Sequence, residues 1–328
     1  MIVTIKKTAG YALLAAIVAY MGIWVENSHY LTLATFIGIN TLLAVGLNML
    51  MGYAGQISLG HAAFFGLGAY TTGVLTVNLG WSPWLTLPCS LAVAVVVAVI
   101  VGLPTLKLTG YYLAMGTLGF GMIAHIVFRE WSGLTGGASG LVGIPALKIG
   151  PVTLTSGRNG MYLIWGMVIA TFFVCGRIVN SRVGRALRAI HFSEQAAAAV
   201  GVNIARAKLQ IFVFSAVLAA LAGFFYAHMI MFVSPSTFGF LASVRFVTMV
   251  VIGGMASIFG SLFGAGLLTL LPEVLHVFSD YEMVVYGLVL MIVMIFVPQG
   301  LFRGVMDLYE RSRSGRRGPT PPGSGSGE

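Results

Sequence analysis

The sequence predicts an all-α protein, a polytopic bundle of transmembrane helices with glycine-broken or re-entrant segments. Three observations carry that reading. Of 328 residues, 58% belong to AVILMFWYC and 8% are charged, against about 25% charged in a soluble domain. The apolar residues come in runs near twenty, the length a helix needs to cross a bilayer, and do not alternate along ten-residue strands as in an outer-membrane barrel. Some of the 43 glycines cluster inside those runs. Water-soluble folds are excluded, and so is disorder, which needs low hydrophobicity and high net charge.

The elements follow in order. Residues 9–25, preceded by Lys6 and Lys7, read as an uncleaved signal anchor, since no small-residue cleavage site follows and further spans do. Further spans are expected at 31–51, 59–77 (glycine-rich), 84–103, 108–128, 161–179, 209–232 and 283–297. Residues 244–271 are too long for one span and too short for two. They are interrupted at Gly253, Gly254, Gly260, Gly264 and Gly266, and read as a pair of short or re-entrant helices hinged near 256–259. Non-helical backbone at that depth must be buried in protein or line a cavity. The transmembrane domain is expected over 1–310, with a cytoplasmic loop at 180–208 and a disordered Gly/Pro/Ser-rich tail at 311–328.

Charge sets the orientation. With the N-terminus cytoplasmic, fourteen of the eighteen Lys and Arg face inward: Lys6, Lys7, Lys107, Arg177, Arg182, Arg185, Arg188, Arg206, Lys208 and the five arginines from Arg303 to Arg317. Arg129, Lys148, Arg158 and Arg245 remain outside. The positive-inside rule favours this topology. Both termini are then cytoplasmic, which eight spans plus a re-entrant pair satisfy, as do ten. The formal charge of +9 thus faces anionic lipid. No basic stripe interleaved with aromatics points to nucleic acid.

Chemistry within the chain is sparse. No HExxH pair, no GxSxG elbow and no GxxxxGK[ST] loop occurs, so no catalytic and no metal-ligating residue is expected. Cys89 and Cys175 lie in apolar runs and read as packing residues. No Asp or Glu falls in mid-span, although proton-coupled transporters carry such groups there. A transporter built this way must take its energy from another chain. Asn40 and Asn48 put two amides on one face of the second span, serving either a path or interhelical contact. The stretch around Gln56, Ser58 and His61 is dense in glycine, which suits either close packing or a broken helix that exposes backbone groups to a substrate. In the 180–208 loop, Ser193 is a good N-cap, Glu194 suits the positive helix end and Gly201 a C-cap, so a short helix is expected over 194–200. Too short to be stable alone, it must dock on something.

The runs Asn40-Thr41-Leu42-Leu43-Ala44-Val45-Gly46-Leu47-Asn48 and Gly55-Gln56-Ile57-Ser58-Leu59-Gly60-His61 resemble the branched-chain amino acid ABC-transporter permeases, and within them the M-type subunit. Gly136 to Pro145, Arg182 to Ile190 and Val251 to Gly264 agree, in the right order. The resemblance implies a bacterial inner-membrane permease that translocates branched-chain or related amino acids. Its partners would be a homologous H-type permease, two cytoplasmic ATPase subunits carrying ATP-Mg, and a periplasmic solute-binding protein. The solute pathway would pass Asn40, Asn48, Gln56, Ser58 and His61. The ATPases would be felt through Glu194, Gln195, Ala196, Ala197 and Gly201. The binding protein would dock near Gly136, Gly137, Gly140 and Pro145. The family pattern E-A-A-x-x-x-G appears here as Gln195-Ala196-Ala197-Ala198-Ala199-Val200-Gly201, with Gln in place of Glu and Glu194 one position early. Alternatives are a permease of this type for urea, amides or another small solute, and a stand-alone secondary transporter.

Overall fold

The computed structural model describes residues 2–25, 27–149, 152–154 and 157–275, together with 287, 288 and 291. Apart from those three positions, the span expected at 283–297 and the tail at 311–328 lie outside the described residues. The described chain is helical almost throughout. In order it forms α1 (Ile2–Trp24), α2 (Ser28–Asn48) continued by a π-helical turn (Met49–Tyr53), α3 (His61–Val77), α4 (Pro83–Thr105), α5 (Tyr111–Glu130) and a single turn α6 (Ser132–Thr135). Short strands β1 (Leu141–Val142), β2 (Lys148–Ile149) and β3 (Val152–Thr153) follow, then α7 (Gly157–Asn180), α8 (Arg182–Phe192), α9 (Glu194–Ala199), α10 (Ile204–Ile230), β4 (Phe232–Val233), α11 (Phe240–Gly253) and α12 (Ile258–Leu275). Among the described residues six stretches are long and apolar enough to cross a membrane: 28–53, 83–105, 111–130, 157–180, 204–230 and 258–275.

Local chemistry starts these helices where they start. Asn27 caps α2 by accepting from the His29 amide at 3.0 Å, and Asn203 caps α10 by accepting from the Arg206 amide at 3.0 Å. Pro83 opens α4 at a position where its missing N–H is no loss.

Helices α2 and α10 form the interior. Helix α10 packs on α3, α4 and α2, while α2 also meets α7 and α12. Small residues bring the backbones together: a Cβ at Gly68 would overlap the Ala220 carbonyl, and one at Gly223 the Phe65 carbonyl. Such close approach drives helix association where lipid is as apolar as the side chains. Rings fill one end, with Phe65 and Phe238 at 5.0 Å and Tyr70 stacked on Phe128 at 4.6 Å. The outer faces of α4 and α5 expose Ile100, Leu103, Met115 and Ile123, a surface suited to hydrocarbon.

The bundle has two unlike ends. At one, Thr32 and Thr35 of α2 share a small cavity with Met229 and Ile230 of α10. There β1 pairs antiparallel with β4, Leu141 opposite Val233. At the other end the π turn meets α8, and α9 follows.

The 244–271 segment differs from expectation. Helix α11 begins earlier, at Phe240, the break falls at Gly254–Ser257, and α12 is a full 18 residues. The break comes early because Gly254 (φ 112°) and Ala256 (φ 58°) leave the right-handed region there. Helix α12 then runs antiparallel to α2. The ladder Asn48–Ser261, Asn40–Thr269 and His29–Glu273 (2.8, 2.9 and 2.9 Å) carries the chain back towards the end bearing β1 and β4.

Candidate functional site: two helix breaks and a capped inner loop

The first break lies between the π turn and α3. Residues 54–60 alternate, with Gln56, Ser58 and Gly60 buried while Gly55 and Ile57 are exposed. Three hydroxyls from three other helices fasten this segment and the start of α3. Thr117 of α5 accepts from the Leu59 amide (3.1 Å), Ser243 of α11 accepts from the Ala62 amide (3.1 Å), and Ser215 of α10 meets His61 Nε2 (3.2 Å). Ser215 has a single proton, and donates it to the Gly46 carbonyl at 2.6 Å. His61 Nε2 is therefore the donor to Ser215, and in the neutral ring Nδ1 is left as a bare acceptor. That Nδ1, both amide atoms of Gln56 and the hydroxyl of Ser58 are buried without a partner among the described residues. Each such group costs about 1–3 kcal/mol unless something bonds to it.

The second break is held by one side chain. Asn48 Nδ2 reaches the carbonyls of Ser257 (2.8 Å) and Gly254 (3.3 Å) and the Ser261 hydroxyl (2.8 Å). Its Oδ1 accepts from the Ala256 amide at 2.9 Å. A Cβ on Gly52 would overlap Ala256 and the Asn48 amide, so only glycine lets the π turn lie against the break. Asn40 sits two turns earlier and donates to Thr269. The structure thus groups Gln56, Ser58 and His61 on the first break and turns Asn40 and Asn48 toward α12 and the second.

The inner loop holds two helices where one was expected. Helix α8, capped by Ser181, buries Gly184, Leu187 and Ile190 and turns Arg182, Arg185 and Arg188 outward. Its His191 packs on the first break, since a Cβ at Gly55 would sit 3.1 Å from the His191 ring. Helix α9 begins as expected: Ser193 Oγ accepts from the Ala196 amide at 3.3 Å. It ends one residue short of expectation, at Ala199, because Val200 is the C-cap and Gly201 turns to φ 82°. There the Val202 amide reaches back to the Ala197 carbonyl at 3.1 Å. Ala197 is buried, whereas Gln195, Ala196 and Gly201 are exposed. Glu194 pairs with Lys208 of α10 at 2.5 Å, a partner that sequence reading had counted only as one of the inward cations. The available signal was a lysine between Ala207 and Leu209 in the second turn of a largely apolar helix.

In the other loop, Gly136, Gly137 and Gly140 have φ of 77°, 62° and 77° and shape the turn that delivers β1 to β4. Exposed Pro145 offers its carbonyl to His228 Nδ1 at 2.6 Å, which ties the loop to the end of α10. The described carboxylates are Glu130, Glu194 and Glu273, each within the first or last turn of its helix.

Residues 29–296 match the family described as branched-chain amino acid transport system, permease component. The chain is 33% identical to the high-affinity branched-chain amino acid transport system permease protein LivM of Salmonella typhimurium, over 82% of this chain and 69% of the relative. Identity to LivM of Escherichia coli K12 is 32% with the same coverage. LivH of Salmonella typhimurium is 26% identical over 79% of this chain and 90% of its own length. No solved structure matches the chain.

Proposed function

The chain belongs to the family of branched-chain amino acid transport permeases, and from that premise we propose a route and a drive for its solute. It is a permease component of an ABC transport system, a multi-pass membrane protein and not itself an enzyme. ATP chemistry falls to partner chains, as the family implies. In the proposed assembly it pairs with an H-type permease in the bacterial inner membrane, with both termini cytoplasmic. Two ATPase subunits bind ATP-Mg below, and a periplasmic binding protein docks on the loop from Gly136 to Pro145. The α11–α12 pair is read as crossing inward from the periplasmic side and returning to it, which keeps the number of crossings even.

The solute passes the first break. One observation carries this: Gln56, Ser58 and His61 hold buried hydrogen-bonding atoms that nothing among the described residues satisfies. Native interiors rarely keep such groups without a use. A zwitterion offers both donors and acceptors to match them, so no buried charge is needed. Helix α9, with Gln195, Ala196 and Gly201 exposed, is read as the helix that sits in the ATPase cleft. Its neighbour α8 touches the first break through His191 and Gly55, so inward motion reaches the path directly. Access alternates as the ATPases close and open, with no chemistry on the solute.

The test is uptake by the full transporter in proteoliposomes. His61→Gln keeps a donor for Ser215 but removes the Nδ1 acceptor, and His61→Leu removes both. Both are expected to lower uptake roughly ten- to a hundredfold, the loss of one strong hydrogen bond. Wild-type uptake by His61→Gln sinks the assignment of Nδ1 to the path.

A further inference from the structure

Lys208 lies in the second turn of α10 with its side chain 5% exposed, while its partner Glu194 is 40% exposed. Burying an ammonium is costly, and a buried ion pair is often no more stable than a well-packed apolar pair in its place. Stability is therefore a weak reason for this pair, and register is the better-attested one. Helix α9 needs such a device. Its six residues are too few to be stable alone, and the one residue it buries is Ala197. A single methyl group can slide or roll against a neighbour with little penalty, whereas an ion pair with Nζ 2.5 Å from Oε1 fixes both the angle and the axial position.

The position of Lys208 along α10 gives that fixing a direction. Lys208, Ile211, Phe212 and Ser215 are all buried and follow one another at helical spacing along one face. Ser215 is the residue bonded to His61. Seven residues separate Lys208 from Ser215, a rise of about 10 Å. The chain of contact runs from the start of α9, through one ion pair, along two turns of α10, to the break that carries Gln56, Ser58 and His61.

We infer that the Lys208–Glu194 pair is a register pin: it locks α9 to α10 so that displacement of α9 moves the helix holding His61. Lys208 is thus a positioning residue for coupling. This inference rests on the reading of α9 as the ATPase-facing helix.

The experiment uses the complete transporter, with its sister permease, ATPases and binding protein, in proteoliposomes. The readout is solute moved per ATP hydrolysed, and co-purification of the ATPases confirms assembly. Lys208→Met, Glu194→Gln and the double variant K208M/E194Q are expected to lose about tenfold or more in that ratio, a typical coupling term. Lys208→Arg keeps the charge and is expected to stay within about threefold of the parent on the same scale. A purely structural pair would behave differently, because the uncharged double variant would recover the parent ratio; that recovery overturns the inference. Ala197→Trp separates the two readings. If it leaves assembly and the ratio intact, the assignment of α9 to the ATPases has failed, and the pin with it. If it uncouples while the Lys208 and Glu194 variants do not, the pin alone is wrong.

Discussion

At the scale of single residues, Asn48 shows how much one amide can hold. Its oxygen and nitrogen take up the Ala256 amide, two carbonyls and the Ser261 hydroxyl, groups that a helix break would otherwise leave bare away from water. Asn48→Leu fills the space but satisfies none of them, and is expected to destabilise the fold by roughly 2–3 kcal/mol. A fall in Tm of the detergent-solubilised chain checks this, and an unchanged Tm would mean the break is held by packing alone. The sequence marked Asn40 and Asn48 as sharing a face, since spacing of eight on a helix is visible directly. It could not show what that face meets, because Thr269 and Ser261 lie more than two hundred residues away and nothing local encodes the pairing. Gln56, Ser58 and His61 were legible for a different reason: polar residues among glycines in an apolar run contradict simple packing. Their lack of partners became visible only with the neighbouring helices in place.

At the scale of elements, caps were the most readable signals. Ser193 and Gly201 bound α9 in the sequence and in the structure, with only Val200 changing sides. Gly201→Val forces a β-branched residue to φ 82°, at about 1–2 kcal/mol, and Ser193→Ala removes the cap at about 1 kcal/mol. Both are expected to reduce stimulation of ATP hydrolysis by loaded binding protein, Gly201→Val the more. Equal stimulation in both variants would show that the ends of α9 are unimportant. Helix α8 escaped sequence reading because its buried stripe is only Gly184, Leu187 and Ile190, set among arginines that already had a use as topology signals. Such a stripe gains meaning from the surface it packs on, and that surface belongs to α7, α10 and the π turn. The break at Gly254–Ser257 came slightly earlier than expected for a similar reason. Glycine content marked the region, but Ala256, not a glycine, takes one of the left-handed positions, held by the Asn48 bond.

For the whole molecule, the helical bundle and most of its spans followed from run length and composition, because hydrocarbon demands internally satisfied backbone. Which helices lie inside did not follow, since apolarity ranks them wrongly: α4 is more apolar than α2 or α10 yet the least buried of the three, and small-residue contacts such as Gly68 with Ala220 decide it. Orientation is testable directly. Val142 and Val200 are 68% and 77% exposed and sit at opposite ends of the bundle. In a background lacking Cys89 and Cys175, Val142→Cys is expected to react with an impermeant thiol reagent in intact spheroplasts, and Val200→Cys only after permeabilisation. The reverse pattern would invert the topology. Helix α10 joins those two ends over 27 residues, about 40 Å, and is fastened at Lys208, Ser215 and His228. Taken as a stiff bar with its fulcrum at His228, it has arms of about 20 Å to Ser215 and about 30 Å to Lys208. A five-degree tilt would then shift Ser215 by about 1.7 Å and the inner end by about 2.6 Å, which label-to-label distances at the first break and the inner loop would measure. The mechanical advantage favours force over travel: a push from the inner side arrives at the first break shortened by about a third and strengthened in proportion.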